Sequence, residues 1–159
     1  MRGNEQVIAK LNEALREELT AINQYFVHAE MCHNWGYDRL GNLIRKQSIG
    51  EMKHAEELLE RIIFLDGTSK MEPLPLTIGH DVKAQLQNDL NLELNAVVMY
   101  NESIKIAREA GDNTSRELFE RLLKDEEAHV DFLETQMHQI EQLGYERYLA
   151  RQIEGEEHS

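Results

Sequence analysis

The sequence predicts an all-α fold: a four-helix bundle with one long crossover between its second and third helices and a short fifth helix at the C-terminal end. Three observations predict it. The only two prolines of the 159-residue chain, Pro73 and Pro75, sit together near its middle, so neither half is interrupted. Both halves are rich in Leu, Glu, Ala, Ile, Gln and Arg, which are compatible with helix. No segment sustains the period-two alternation of β-branched residues that a half-buried strand needs.

Helix A is expected over residues 4–35 and helix B over 39–65, closing near Gly36 and Gly67. Glycine is favoured just past a helix end because it takes the left-handed conformation cheaply. A crossover covers 66–80, and helix C covers 81–110, stopping at Gly111. Thr114-Ser115-Arg116-Glu117 has the capping-box pattern, with Thr114 as N-cap and Glu117 reaching back, so helix D runs over 114–143 to Gly144. A tail helix E follows over 145–154. The short A–B and C–D connections make antiparallel hairpins of 4–65 and 81–143. The B–C connection is long enough to run the length of a helix, so C starts near the far end. The chain, 1–159, reads as a single domain.

Composition excludes several functions. Seventeen Lys and Arg stand against 30 Asp and Glu, a formal charge of −13. Nucleic acid is an unexpected partner, because affinity there comes from basic side chains neutralising phosphates. Cations are compatible partners. No apolar run approaches the ~20 residues of a membrane helix, so no membrane role is expected. The N-terminus lacks the apolar core of a secretory signal, and a reducing cytoplasm is the expected compartment. The single cysteine, Cys32, excludes an internal disulfide, a CxxC pair and a cysteine-based metal site.

Charges interrupt the core-facing stripes. Helix A runs Ile8, Leu11, Leu15, Ile22, Tyr25, Ala29, with Glu18 where the stripe needs an apolar residue. Helix B runs Leu40, Ile44, Gln47, Glu51, His54, Leu58, Ile62. Helix C runs Val82, Leu86, Leu90, Glu93, Val97, Tyr100, Ile104, and helix D runs Phe119, Leu122, Glu126, His129, Leu133, Met137, Ile140. A buried unpaired carboxylate costs several kcal/mol even after relaxation. Two divalent ions balance four carboxylates, and two neutral imidazoles complete the donor set, so a pair of metals fits better than one.

The spacing repeats. Glu18 to Glu51 is 33 residues, as is Glu93 to Glu126; Glu18 to His54 is 36, as is Glu93 to His129. A shift of 75 also carries Leu19 onto Leu94, Ala21 onto Ala96, Tyr25 onto Tyr100 and Leu58 onto Leu133. The hairpins therefore read as an internal repeat with a pseudo-twofold axis through the metal pair. A third Glu-x-x-His, Glu30 and His33, has no such counterpart and reads as a solvated face. His28, His80, His138 and His158 belong to no metal-like constellation and receive no role.

The segment Glu18-Leu19-Thr20-Ala21-Ile22-Asn23-Gln24-Tyr25-Phe26, then Asn34-Trp35-Gly36, Glu51-Met52-Lys53-His54-Ala55-Glu56 and Asp125-Glu126-Glu127-Ala128-His129, closely resembles bacterioferritin, the haem-containing ferritin family. The likeness spans nearly the whole chain, short fifth helix included. Non-haem ferritins usually lack the second Glu-x-x-His histidine, so His129 points to bacterioferritins. Rubrerythrins carry cysteine pairs that this chain lacks.

The resemblance implies a ferritin-like bundle in a hollow shell of two dozen subunits, with ferroxidase activity. Such a shell oxidises Fe(II) with O2 or hydrogen peroxide and stores Fe(III) mineral. By residue, Glu18 and His54 would be terminal ligands of one of two iron ions per subunit, and Glu93 and His129 of the other. Glu51 and Glu126 would bridge. Tyr25 matches a family position and is expected to hydrogen-bond to a ligating glutamate; Tyr100 reads equally as such a partner or as an ordinary core tyrosine. Met52 lies about 100° around the helix from Glu51. On its residue type alone it reads as a dimer-contact hydrophobe. The resemblance implies that it binds haem b, shared between two subunits across a twofold dimer interface, with Met31 lining that pocket. A small ferredoxin that reduces the mineral through the haem is implied as well.

One departure is visible. Some bacterioferritins hold an additional inner-surface iron on a His and an Asp, where this chain has Lys46 and Gly50. That site is expected to be absent, leaving the metal pair as the route into the cavity. The small flanks of His129, Ala128 and Val130, make it the expected mobile ligand. Two other readings remain: a soluble di-iron peroxidase or oxidase without storage, and a helical assembly module whose charges are structural.

Overall fold

Asn4 opens the first helix by accepting hydrogen bonds from the backbone N–H groups of Gln6 and Val7. In the computed structural model, which describes residues 1–154, five helices follow in order: α1 (Glu5–Asn34), α2 (Asp38–Phe64), α3 (Val82–Glu109), α4 (Asn113–Leu143) and α5 (Tyr145–Ala150). They correspond to the expected helices A to E. His158 lies outside the described residues. α1 packs on α2 and α3 on α4 as hairpins, and α1 meets α3 to join them.

Three local expectations are corrected. The capping box at Thr114 and Glu117 does not start α4. Asp112 does, accepting from Ser115 N at 3.0 Å. Aspartate caps as well as threonine, and here Arg61 holds it, with Nη2 at 2.8 Å from Asp112 Oδ1 and Nε donating to Ser115 Oγ. Gly67 does not supply the left-handed residue after α2; Asp66 does, with φ 60°. Glycine is needed at 67 for close approach, because a Cβ there would stand 2.8 Å from Ile8 Cγ2. The tail helix ends at Ala150 instead of 154, because Gln152 is buried and its carbonyl accepts from Arg39 N at the start of α2.

The apolar core is split in two. One cluster gathers Val7, Leu11 and Leu15 with Leu58, Ile62, Tyr100, Ile104, Phe119 and Leu122. The other gathers Tyr25, Ala29 and Cys32 with Leu40, Ile44, Leu86, Leu133, Ile140 and Tyr148. Cys32 is fully buried there, its thiol donating to Gln85 Oε1. The ionisable layer lies between the clusters. On α1, Ile8 and Ile22 are only half-buried, and Val7, Ala14 and Ala21 turn inward instead.

The crossover is held by a polar ladder on α1. Asn12 bonds Thr68 O and Lys70 N; Thr20 Oγ1 accepts from Leu74 N; Gln24 Oε1 accepts from Thr77 N; His28 Nε2 accepts from Gly79 N at 3.0 Å. These four positions lie at multiples of four residues, one helical stripe. His28, to which the sequence assigned no role, is fully buried, and its Nδ1 lies 2.9 Å from buried Asp89 Oδ1 on α3. Gly79 needs an acceptor at Nε2, so Nδ1 carries the proton toward Asp89.

Candidate metal centre

Each of the four long helices contributes to the layer between the clusters because its ionisable residues occupy inward positions of the stripe. Glu18 comes from α1, Glu51 and His54 from α2, Glu93 from α3, and Glu126 and His129 from α4. The four glutamates are at most 1% exposed. All six expected ligands meet in two groups: Glu18, Glu51, His54 and Glu126, and Glu51, Glu93, Glu126 and His129. Within each group one donor atom per residue lies within 4.8 Å of the others. Glu51 and Glu126 belong to both.

The imidazoles face inward through Nδ1. His54 Nδ1 lies 3.1 Å from Glu51 Oε1, 3.1 Å from Glu126 Oε1 and 3.3 Å from Glu18 Oε2. His129 Nδ1 lies 3.2 Å from Glu126 Oε2, and 3.5 Å from both Glu51 Oε1 and Glu93 Oε1. Despite these approaches, three buried carboxylate oxygens, Glu18 Oε2, Glu51 Oε1 and Glu93 Oε2, accept no hydrogen bond from the described residues. Leaving such atoms unpaired is costly, so they mark where cations fit.

The tyrosines cross over between the hairpins. Tyr25 on α1 donates to Glu93 Oε1 on α3, and Tyr100 on α3 donates to Glu18 Oε1 on α1 at 2.6 Å. The open reading of Tyr100 closes in favour of a glutamate partner. Burial and the nearby carboxylates push both phenols well above their ordinary value, so both remain donors.

Protons carry the balance of charge in the metal-free layer. Burial, then the neighbouring carboxylates, pushes Glu51 and Glu126 well above the usual carboxylate range. Burial opposes ionisation of Glu18 as well, but the neighbouring His54 and Glu126, with the hydrogen bond from Tyr100, bring it below its ordinary value. Burial opposes protonation of both imidazoles, and the carboxylates around them overcome it. His54 is raised and His129 is raised to about 10. The excess of negative charge reaches half-buried Glu17, pushed up to about 7 by burial and by Glu13, Glu18 and Glu93.

The sequence missed Asp125. Its Oδ2 lies 2.9 Å from His54 Nε2. The two residues are 71 apart and on different helices, so no local pattern links them. Of the third Glu-x-x-His, Glu30 is exposed and His33 pairs with Asp38 at 2.9 Å. Met52 is 61% exposed on α2, with exposed Ile49 one turn before it and exposed Phe26 on α1. Met31 is half-buried, and its sulfur accepts from Gln85 on α3, so that sulfur faces into the bundle. Among the described residues no helix is long and apolar enough to cross a membrane.

The comparisons agree with this geometry. A ferritin-like domain matches residues 8–143. A bacterioferritin of Brucella melitensis is 46% identical over 149 residues, covering 93% of this chain and 92% of its own. One from Rhodobacter capsulatus is 44% identical over 145 residues, 91% and 90% of the two chains. One from Mycolicibacterium paratuberculosis is 42% identical over 152 residues, 95% and 96%. On fold, donor layer and likeness over almost its whole length, the chain belongs to the bacterioferritin family.

Proposed function

We propose that this chain stores iron, oxidising Fe(II) to Fe(III) at the intrasubunit pair of metal positions and depositing mineral inside a hollow homo-oligomeric shell. One observation carries the reading: two donor groups share Glu51 and Glu126, and unpaired buried carboxylate oxygens point into both. Two Fe(II), the substrate, bring four positive charges to four carboxylates. Mixed oxygen and nitrogen donors suit iron. Glu18 and His54 hold one ion, Glu93 and His129 the other, and Glu51 and Glu126 bridge them. Each Fe(II) gives one electron. O2 takes two electrons and two protons to become hydrogen peroxide, and peroxide takes two electrons and two protons to become two waters. Tyr25 and Tyr100 aim the terminal carboxylates by donating to their outer oxygens.

Haem b belongs to the same reading. Met52 supplies an exposed thioether one turn from exposed Ile49, and Met52 of each subunit of a twofold dimer would hold the group. The group would supply a path for electrons toward the mineral, with a small ferredoxin as reductant and the cytoplasm as compartment. An anaerobic Fe(II) titration followed by air, read together with particle mass, tests the proposal. Two Fe(II) per subunit, rapid oxidation on aeration and a particle of two dozen subunits are expected. Rapid oxidation by a small oligomer would favour a soluble di-iron peroxidase or oxidase; no stoichiometric binding would leave a helical assembly module.

A further inference from the structure

We infer that Asp125 is a positioning residue for His54, that Gly50 leaves the repeat-related His129 without one, and that the two metal positions therefore hold their ions unequally. The inference rests on the two-metal reading above.

The shift that carries Glu51 onto Glu126 and His54 onto His129 also carries Gly50 onto Asp125. On one side of the pseudo-twofold axis the arrangement is complete. His54 faces the carboxylates through Nδ1, and its Nε2 reaches across from α2 to Asp125 on α4 at 2.9 Å. With Nδ1 on a metal, Nε2 carries the proton and donates it to Asp125. Such an outer carboxylate fixes the tautomer and ring angle and makes the ligating nitrogen more basic.

On the other side the arrangement is broken. His129 faces the carboxylates through Nδ1 in the same way, but Nε2 makes no hydrogen bond with the described residues. By symmetry its partner would stand on α2 at position 50. That position is glycine, and the space a Cβ would enter is open, with no atom within 4 Å. The side chain of His129 is 17% exposed against 8% for His54. Swinging His129 away breaks only contacts at Nδ1, whereas moving His54 breaks contacts at both nitrogens. This is a different cause for His129 mobility from the small flanking residues noted in the sequence. Loss of an outer partner costs about 10- to 100-fold in metal affinity. The ion at the Glu93–His129 position is therefore the exchangeable one, and the ion at Glu18–His54 is retained.

The test uses the assembled protein loaded with Co(II) and mixed with excess EDTA, following loss of the cobalt absorption. The native chain should release two ions per subunit in two phases of equal amplitude, at rates at least about tenfold apart. Asp125→Ala should speed the slow phase until the two merge. Asp125→Asn should restore most of the separation, because its amide oxygen still accepts from Nε2–H. Gly50→Asn, which supplies an acceptor without a cation-binding charge, should slow the fast phase alone. Circular dichroism and particle mass confirm that each variant is folded. A single release phase from the native chain with two ions bound would overturn the inference. So would Asp125→Ala that leaves both phases unchanged or speeds both equally, or Gly50→Asn that leaves the fast phase unaltered. Fewer than two Co(II) bound per subunit would instead overturn the two-metal reading, and the inference with it.

Discussion

Tyr25 in the first hairpin and Tyr100 in the second do the same thing to opposite partners, each donating to a buried glutamate of the other hairpin. On either side of these tyrosines the likeness stops. Gln24 and His28 on α1 hold the crossover, whereas the positions 75 residues later, Met99 and Ser103, make no side-chain hydrogen bond to described residues outside their own helix. The hairpins agree where four buried carboxylates crowd into one layer. They differ where connectivity treats them differently, since one crossover must lie somewhere and it lies on α1. Symmetry here follows chemistry, and asymmetry follows the path of the chain.

The largest expected effects test the symmetric layer. Glu51→Ala and Glu126→Ala should each slow iron oxidation by at least about 100-fold, since losing even an outer partner costs about 10- to 100-fold in affinity. Both variants should assemble normally, because removing buried negative charge relieves the metal-free bundle. Stopped-flow oxidation with particle mass checks this, and one variant oxidising at the native rate would break the equivalence of the bridges. Met52→Leu should abolish haem binding and leave oxidation nearly unchanged. Leucine keeps the volume without the sulfur, and the repeat puts Glu127 at the corresponding place on α4. A retained low-spin haem spectrum would move the axial ligand elsewhere.

Smaller effects sharpen the comparison. Tyr100→Phe should weaken the Glu18–His54 position by about 10- to 100-fold, and Tyr25→Phe the Glu93–His129 position by a similar factor. Co(II) titrations should then show the two ions closer in affinity in Tyr100→Phe and further apart in Tyr25→Phe. Loading should release protons at pH 7, because His129 is held at about 10 and so carries a proton before metal arrives. Metal affinity therefore falls as pH falls, which titration in weakly buffered solution measures. The smallest effect separates the hairpins. His28→Leu leaves the Gly79 N–H unpaired and buried Asp89 with Gln24 as its remaining partner, and should cost about 1–3 kcal/mol. Ser103→Ala, at the corresponding place, removes one buried hydrogen bond to its own helix without stranding a donor, and should cost about 0.5–1 kcal/mol. Thermal melts of the metal-free protein compare them.

The bundle and the donor layer were legible because they break a rule. A glutamate in an apolar stripe stands out, and a second copy 75 residues later makes it hard to dismiss. The ladder of Asn12, Thr20, Gln24 and His28 was not legible, because polar residues at multiples of four look like any solvated helix face. What they face is a segment some fifty residues further along the chain, which periodicity does not report. Asp112 was missed as a cap for a related reason. Thr114 and Glu117 formed a complete local motif, while the advantage of Asp112 comes from Arg61 on another helix. Asp125 was missed because its partner is on α2, and Gly50 drew notice only as a missing ligand.

Cys32 has a consequence for how such a protein ages. Its thiol lies in the core cluster, and burial, with Asp89 nearby, pushes it up to about 12. At pH 7 only about one molecule in 100,000 then carries the reactive thiolate. On the proposed function Fe(II) and peroxide meet within the bundle, conditions that consume sulfur groups first. The one sulfhydryl it has is kept protonated and out of solvent, so repeated turnover need not crosslink neighbouring particles or start the climb to sulfenic and sulfinic acid.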